Sequence, residues 1–237
     1  MRTALSIIIP CYNEEKNIPL IVERFRKSIP QDAQIELILV DNGSSDSTNC
    51  IINKFSKKYL FIRSARVKKN VGYGFGIWTG IRAAKGEYIC WTHADMQTDP
   101  YDTIKAYQLI TKQKNSKRCF VKGNRKNRPL IDTFFTFGMS LFETIILKTW
   151  IYDINAQPNL FHKSFLKHVG KPPKDFSFDL YFYYIAKRKG YEIIRFPVLF
   201  KPRVHGESHW NTSLKSKWKF IKRTLEFTLN MRKQLKR

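Results

Sequence analysis

The fold is decided by a short apolar strand and the polar turn behind it, Gly86-Glu-Tyr-Ile-Cys-Trp-Thr-His-Ala-Asp-Met-Gln-Thr-Asp-Pro100. The strand signal covers Tyr88 to Trp91, and the turn carries Asp95, Gln97 and Asp99. Oxygen-bearing side chains just past the end of a buried strand suit a hard divalent cation and the diphosphate that it bridges. The stretch therefore predicts a buried sheet with a metal site at its edge.

Two earlier stretches have the same form, a buried strand that ends in a polar loop. One runs from Ser6 to Glu15 and the other from Glu36 to Asp46. Strand and helix signals alternate through residues 1–100, which is typical of a parallel sheet. We predict that Asn13 caps the helix after the first strand, with Glu14 in its first turn. Because such strands end at one edge of an α/β sheet, we expect their loops to form a single site.

The composition indicates one domain with a negatively charged partner. The 237 residues fit one large α/β domain, or a domain with a small appendage. A formal net charge of +24 calls for nucleic acid, an anionic membrane surface or phosphorylated substrates. The sequence has no nucleic-acid module signature, so we expect no nucleic-acid partner.

Cysteine usage and hydropathy bear on location. The four cysteines form no Cys-x-x-Cys pair, which favours reduced thiols in a cytoplasmic protein over structural zinc. We see no signal-peptide pattern, and no apolar run approaches the ~20 residues of a spanning helix. Segment 130–152 is amphipathic, and apolar residues recur at helical spacing among basic ones in 211–237. We therefore expect a peripheral protein whose amphipathic segments lie on anionic lipid.

Together these segments resemble glycosyltransferase family 2, and most closely its dolichyl- and polyprenyl-phosphate sugar transferases. The resemblance implies a GT-A-type, Rossmann-like α/β domain with a mostly parallel sheet flanked by helices. It implies a domain at 1–210, with a nucleotide-sugar-binding half at 1–100 and an acceptor half at 101–210, followed by a basic amphipathic helix at 211–237. The implied activity is inverting transfer of a sugar from a UDP- or GDP-linked donor.

The resemblance assigns the donor nucleotide to four loops. The family's Pro-x-Tyr-Asn-Glu loop cradles the base and ribose, and the Asp of its Val-Asp-Asp-Gly-Ser loop contacts the base. Asn42 stands where the family has a second Asp. Each loop is by itself an ordinary turn or cap, but four in the family's order favour a site. The implied nucleotide-binding residues are Pro10, Tyr12, Asn13, Glu14, Asp41, Asn70, Gly72 and Asp95.

The family's metal motif resembles Asp-Ala-Asp-Leu-Gln-Asp-Pro-Pro, and this chain reads His-Ala-Asp-Met-Gln-Thr-Asp-Pro at 93–100. The resemblance implies that Asp95 and Gln97 bind Mg²⁺ or Mn²⁺, with Asp95 essential for catalysis. His93 replaces the first Asp. It either contacts the donor, serves as a base, or has no role.

Two basic segments resemble the family's acceptor side. Arg125 matches the Arg of a Gly-x-Arg segment that faces the acceptor phosphate. Arg203 and Ser208 belong to a stretch similar to the loop that closes over the diphosphate and acceptor, with His209 where Lys is usual. Guanidinium groups suit this work because they grip phosphate in a bidentate fashion.

The acceptor stays open at this level. A polyprenyl phosphate at the cytoplasmic membrane face is the leading expectation, and it needs no general base. A glycan hydroxyl needs one, for which Asp175, Asp179 and His93 are the candidates. The lipid-phosphate branch commonly has Gly-Phe-Arg where this chain has Gln-Pro-Asn at 157–159. The departures at 42, 93 and 209 also leave open a nucleotide-sugar-binding protein without turnover.

Overall fold

The computed structural model describes residues 3–30, 33–127, 130–206, 222, 224–229 and 232, and for 130–137 it describes the backbone only. The strands are β1 (Leu5–Cys11), β2 (Ile35–Asp41), β3 (Ile62–Arg66), β4 (Tyr88–Trp91), β5 (Cys119–Lys126), β6 (Asn159–His162) and β7 (Glu192–Leu199). The α-helices are α1 (Asn17–Ser28), α2 (Thr48–Lys58), α3 (Tyr73–Ala83), α4 (Asp102–Thr111), α5 (Leu130–Leu147) and α6 (Ser177–Arg188). Short 3-10 helices cover Ser116–Arg118 and Lys163–His168.

The seven strands form one sheet in the order β3-β2-β1-β4-β6-β5-β7. Strand β6 runs antiparallel to both neighbours, and the other pairs are parallel. The predicted mostly parallel α/β sheet is therefore confirmed. Strand β6 escaped prediction because four residues, all buried, show no alternation. The strand order reverses beside β1, and in open sheets this is where ligands bind.

Two apolar layers cover the faces of the sheet. One layer packs β1 and β2 against α1, α2 and α4, with Phe25 and Ile52 at its centre. The other packs the sheet against α3 and α6 and is largely aromatic, as in the contact of Trp91 with Phe182 at 5.2 Å between ring centroids. Each fully buried large apolar side chain contributes roughly 1.5–3 kcal/mol to folding. The layers hold the carboxyl ends of β1, β2 and β4 at one edge.

Helix α1 begins at Asn17 rather than directly after Asn13. Asn13 has a φ of 56°, in the left-handed region, and its Oδ1 accepts a hydrogen bond from the backbone N–H of Ser45 at 2.9 Å. The residue before the helix is Lys16, without a side-chain cap, and the first turn holds no acid. The prediction of an Asn13 cap is therefore wrong, because this side chain closes the loop after β2 instead.

The predicted C-terminal helix lies mostly outside the described residues. Residues 222, 224–229 and 232 are helical, and Phe227 packs on a small apolar cluster that includes Leu147 and Tyr184. The hydroxyl of Thr228 donates to Glu143 of α5 at 2.7 Å. The described part of this segment therefore packs against α5. No helix in the described ranges is both long and apolar enough to span a bilayer.

Candidate functional site

The loops after β1 and β2 are fastened to each other at the sheet edge. The backbone N–H of Glu14 donates to Thr48 Oγ1 at 2.8 Å, and that of Ser47 donates to Glu15 Oε2 at 3.0 Å. Together with the bond to Asn13, these contacts join two loops that are distant in sequence. The first two predicted nucleotide loops therefore form one surface.

Asp41 ends β2 beside this surface. Its side chain is 1% exposed, and Oδ1 accepts a hydrogen bond from the backbone N–H of Ser44 at 2.9 Å. The Nε atom of the exposed Arg66 lies 3.3 Å from Oδ2. Pro10 of β1 pairs with Val40, the residue before Asp41, and Tyr12 is exposed just beyond the end of β1. The structure therefore brings Pro10, Tyr12 and Asp41 to the same edge.

The third predicted loop, at 70–72, meets the second through Asn42. Its Nδ2 donates to the carbonyl of Gly72 at 3.1 Å, and the N–H of Gly72 donates to Asn70 Oδ1 at 2.9 Å. Gly72 has a φ of 130°, and a Cβ there would lie 2.3 Å from the carbonyl oxygen of Lys174. A carboxylate at position 42 has no N–H to donate. The departure from the family's second Asp therefore serves this contact.

The turn after β4 presents Asp95 to the chain that follows β7. Asp95 Oδ1 accepts from the backbone N–H of Gln97 at 3.1 Å, across Met96 with its φ of 56°. The Gln97 side chain donates to the carbonyl of Lys201 at 3.1 Å. The Nη2 atom of Arg203 lies 3.1 Å from Asp95 Oδ2. The metal-loop residues and Arg203, which come from opposite halves of the sequence, therefore meet.

Asp99 belongs to a different contact. Its carboxylate accepts two hydrogen bonds from Arg24 of α1, at 2.8 and 2.7 Å, and one from the backbone N–H of Tyr101. Burial alone would raise the pKa of Asp99, but these bonds outweigh it, so the pKa lies below its ordinary value. Asp99 therefore anchors the turn to α1, and Asp95 and Gln97 are left as the oxygen donors.

Glu14 connects the nucleotide loops with Asp95 and Arg203. Burial raises the pKa of its carboxyl group, a hydrogen bond from Asn17 opposes this, and Asp95 raises the pKa further while Arg203 lowers it. The Asn17 side chain also donates to the carbonyl of His205 at 3.3 Å. The chain around 203–206 therefore lies against the first nucleotide loop, and the charges of all three segments interact.

The donor set fits a hard divalent cation that takes most of its ligands from substrate. In the described ranges, no group of three or more His, Cys, Asp and Glu side chains is placed to hold a metal by itself. Asp95 and Gln97 supply one carboxylate and one amide. Mg²⁺ is commonly held by one or two carboxylates together with substrate phosphates and water. The residues therefore fit a metal that arrives with a diphosphate.

His93 is half-buried and packs on an aromatic stack. Its ring lies 5.4 Å from that of Tyr73, which stacks on Phe176 at 4.8 Å. Burial raises the pKa of the Tyr73 hydroxyl well above its ordinary value, and the charges of Asp179 and Asp95 add to this. Tyr73 therefore lies between the metal loop and α6.

Asp179 is buried below this stack, with an exposed fraction of 1%. Its carboxylate accepts hydrogen bonds from Trp91 Nε1 at 2.8 Å, from Gln157 Nε2 at 3.2 Å and from Asn159 Nδ2 at 3.3 Å. Lys122 is also fully buried nearby, and burial lowers its pKa to about 7 although Asp179 opposes the shift. Three donors and a nearby cation therefore satisfy the carboxylate inside the protein.

Arg125 is paired with an acid of the same chain. Its Nε donates to Asp153 Oδ1 at 2.8 Å, a second guanidinium nitrogen contacts the same oxygen, and its backbone N–H donates to Oδ2 at 3.0 Å. Arg195 lies 3.8 Å from the same carboxylate. Arg125 is therefore held by Asp153 in this structure. Ser208 and His209 lie outside the described residues.

Sequence reasoning missed the buried polar group around Asp179. In the sequence, Lys122 counts only toward the net charge, and Gln157 and Asn159 only as departures from a motif. The available signal was a lysine that directly follows the apolar run at 119–121. A charged residue in such a position needs a buried partner.

Comparisons with known proteins agree with this architecture. The model of the family "Glycosyl transferase family 2" matches residues 6–170. A dodecaprenyl-phosphate galacturonate synthase of Rhizobium johnstonii is 31% identical over 126 residues, which are 52% of this chain and 36% of that protein. A dolichyl-phosphate beta-glucosyltransferase of Dictyostelium discoideum is 23% identical over 203 residues, 78% of this chain and 62% of that protein. The chain thus spans about a third to two thirds of these relatives.

Solved structures share the fold. Glucosyl-3-phosphoglycerate synthase of Mycobacterium tuberculosis, in complex with Mn²⁺, UDP and glucosyl-3-phosphoglycerate, gives a TM-score of 0.73 at 16% identity, over 97% of this chain and 80% of that chain. A mannosyltransferase of Pyrobaculum calidifontis, in complex with GDP-mannose and Mn²⁺, gives a TM-score of 0.66 at 19% identity. The match covers 94% of this chain and 61% of that chain. The sheet is therefore of the GT-A type. Since the family model covers more than half of the chain, this protein belongs to glycosyl transferase family 2.

Proposed function

We propose that this glycosyltransferase moves a sugar from a UDP- or GDP-linked donor to a polyprenyl phosphate, with inversion at the anomeric carbon. The observation that carries the proposal is the contact of Arg203 with Asp95. It brings the predicted metal ligand and the predicted diphosphate-binding arginine together beside the nucleotide loops. A carboxylate binds a divalent cation and a guanidinium binds phosphate, so the pair suits a metal-bound diphosphate.

The donor is assigned to the sheet edge at residues 1–100. The joined loops offer backbone and side-chain groups at this edge, where the Asp41 carboxylate would accept a hydrogen bond from a donor on the base. Both guanine and uracil have such a donor, so both donors remain in the proposal. The proposed nucleotide-binding residues are Pro10, Tyr12, Asn13, Glu14, Asp41, Asn70, Gly72 and Asp95.

Asp95 and Gln97 are proposed to hold Mg²⁺ or Mn²⁺. The ion, when bound, neutralises the charge that develops on the leaving nucleotide diphosphate. Arg203 contacts Asp95 in this structure, and its guanidinium is then available to the phosphate oxygens that accompany the metal. Glu14 adds negative charge on the same side, so a cation at Asp95 relieves repulsion between the two carboxylates.

A phosphate acceptor is favoured by the burial of Asp179. A general base must present a lone pair to the acceptor hydroxyl, whereas Asp179 is buried and already accepts bonds from three side chains. An acceptor that is already an anion needs no base. The two relatives, a dodecaprenyl-phosphate and a dolichyl-phosphate enzyme, support the same class of acceptor. Arg125 and Ser208 are the proposed acceptor contacts.

A second candidate, transfer to a glycan hydroxyl, is favoured by one observation. His93 lies in the turn that carries Asp95 and is half-buried against Tyr73, so an imidazole rather than Asp179 would be the base. A nucleotide-sugar-binding protein without turnover is separated from both enzymes by metal-dependent hydrolysis of the donor.

Membrane contact is proposed for the outer side of α5 and the turn after it. Leu141 and Ile145 are one helical turn apart and expose 46% and 67% of their surface, and Trp150 exposes 63%. Apolar side chains of this kind insert at a lipid interface, and the net charge of +24 attracts anionic headgroups. The proposed location is the inner face of the membrane, with 211–237 as a basic arm beyond the domain 1–210.

The test is a transfer assay with a panel of UDP- and GDP-sugars, Mn²⁺, and either a polyprenyl phosphate or a glycan as acceptor. We expect product only with the lipid phosphate, and loss of product when the metal is chelated. Product with the glycan alone would replace the proposal by the second candidate. Donor binding without hydrolysis or transfer would identify a binding protein.

A further inference from the structure

A row of residues in register crosses the sheet beneath α6. Asn159 of β6 pairs with Trp91 of β4 on one side and with Lys122 of β5 on the other, and Lys122 pairs with Arg195 of β7. Residues that are directly opposite in neighbouring strands project to the same face of a sheet. The row therefore places two cations, an amide and an indole N–H on the face that α6 covers.

Lys122 lies at the centre of this row with no access to water. Its Nζ donates to the carbonyl of Ala156 and to Asn159 Oδ1, both at 2.8 Å. A buried ammonium group is costly unless hydrogen bonds and an opposite charge compensate it. The two bonds supply the hydrogen bonding. The opposite charge must come from a carboxylate in the same layer.

Asp179 of α6 supplies that opposite charge through one intervening amide. Asn159 accepts from Lys122 with its Oδ1 and donates to Asp179 with its Nδ2, at 3.3 Å. Among the charged groups around Lys122, Asp179 has the largest influence. The result is a continuous chain from ammonium through amide to carboxylate.

The chain continues to the surface of the site through Gln157. Gln157 Nε2 donates to both oxygens of Asp179 at 3.2 Å and to the hydroxyl of Tyr73 at 3.1 Å, while its Oε1 accepts from Asn159 at 2.8 Å. Tyr73 then packs on His93 in the turn that carries Asp95. Hydrogen bonds and ring contacts thus connect Asp179 to the turn that carries Asp95.

We propose that Lys122, Asn159 and Asp179 form a buried chain that positions Gln157 and Tyr73 against the metal-binding turn, so that Asp179 orients the site and removes no proton from the acceptor. The inference rests on the proposed function, because it concerns the floor of the same site. The proposal gives a role to Lys122, which is not among the residues assigned from the family motifs. It also explains how the chain works with Gln-Pro-Asn at 157–159, since the cation comes from the neighbouring strand.

The test is a double-mutant cycle with Asp179→Asn, Lys122→Met and the variant that carries both changes. Melting temperature, kcat, the KM for the donor and the pH dependence of kcat are measured well below the melting temperature. Each single change leaves one buried charge without its counter-charge, so we expect a lower melting temperature and a kcat at least tenfold lower. The double variant should regain most of both losses, with an unchanged donor KM and an unchanged acidic limb of the pH profile.

Three results would overturn the proposal. A double variant as inactive as Asp179→Asn, with the acidic limb lost, would make Asp179 the base. A normal kcat in both folded single variants would make the chain purely structural. Losses that simply add would show that Lys122 and Asp179 act independently. If the single variants fail to fold, Gln157→Leu tests the same link without changing charge. It removes hydrogen bonds to the buried Asp179 and so should lower the melting temperature as well, but kcat should fall even in protein that is fully folded at the assay temperature. A normal kcat under those conditions would contradict the proposal.

The matched control is Glu36→Gln. Glu36 is another buried carboxylate, held by Arg63 at 2.7 Å and Ser6 at 2.6 Å, at the opposite end of β2 from Asp41. It should lower the melting temperature and leave kcat unchanged. Recovery of melting temperature in the double variant is read without any substrate. If the wild-type protein transfers no sugar but the double variant recovers its melting temperature, the proposed function is contradicted and the buried chain is still supported.

Discussion

The guanidinium of Arg203 lies 3.1 Å from the carboxylate of Asp95, although one follows β7 and the other follows β4. The contact exists because Gln97 and Lys201 exchange hydrogen bonds that dock the two segments. It defines where a metal-bound diphosphate is expected, and it makes Asp95 the first residue to test.

Asp95→Asn should lower the rate of transfer about a hundredfold or more with little change in melting temperature. The change removes the charge of the proposed metal ligand and of the salt-bridge partner of Arg203, comparable to the loss of a main electrostatic stabiliser. Asp102→Asn, which changes a buried acid of α4 paired with Lys105, is the control and should keep the activity. Near-normal transfer by Asp95→Asn at ordinary Mn²⁺ would refute the site.

Asn42→Asp, which restores the usual family residue, should destabilise the protein by about 1–3 kcal/mol. The side chain is 3% exposed and donates to the Gly72 carbonyl, and a carboxylate there loses the bond and faces a carbonyl oxygen. Urea unfolding measures the effect. Asn53→Asp, on the exposed side of α2, is the matched control and should be close to neutral. A stabilised Asn42→Asp would show that the amide serves another purpose.

His93→Asp should keep or raise transfer, with half-maximal activity at a lower Mn²⁺ concentration. A carboxylate two residues before Asp95 adds negative charge to the site, and the present ring contact with Tyr73 is not a bond to a reacting group. His93→Asn has the shape of the aspartate variant without its charge, so the difference between the two variants measures the effect of the charge. A tenfold fall in His93→Asp, worth ~1.4 kcal/mol in the transition state, would instead give His93 a catalytic role.

The stability of the protein should fall as the pH rises from about 4.5 to about 7, and Glu143 should account for part of this fall. Burial raises the pKa of Glu143 to about 7, partly opposed by the hydroxyl of Thr228. The folded state therefore holds a proton that the unfolded chain releases, a difference on the order of 3 kcal/mol. Melting temperatures at pH 5 and 7.5 measure it. Glu143→Gln should flatten the dependence, and an unchanged slope would contradict the assignment.

The protein should co-sediment with anionic vesicles at low salt, bind neutral ones weakly, and be partly released at high salt. Charge attraction decays with the Debye length, whereas inserted apolar side chains resist salt. Ile145→Glu should reduce the salt-resistant part severalfold. Leu60→Glu is the control, since Leu60 is fully exposed next to β3. Equally weak binding to both vesicle types at low salt would contradict the membrane proposal and favour the glycan acceptor.

The parallel part of the fold follows from local sequence. Continuous β-branched runs such as Ile7 to Ile9, amphipathic helices between them and polar loops behind them predict the sheet and the edge that bears the site. Loops at the carboxyl ends of parallel strands must meet, so Asn13, Asp41 and Asp95 could be grouped from the sequence alone. The family resemblance added the expected chemistry of each loop.

The pairing of individual side chains was decided only by tertiary structure. Asp99 and Asp95 look equivalent in one turn, but the first is taken by Arg24 of α1 and only the second faces Arg203. Arg125 is held by Asp153, and Lys122 reaches Asp179 only because β6 inserts between β4 and β5. Periodicity reports which face a residue occupies. Which charge compensates which buried charge depends on strand order and on contacts between distant segments, and no local pattern encodes these.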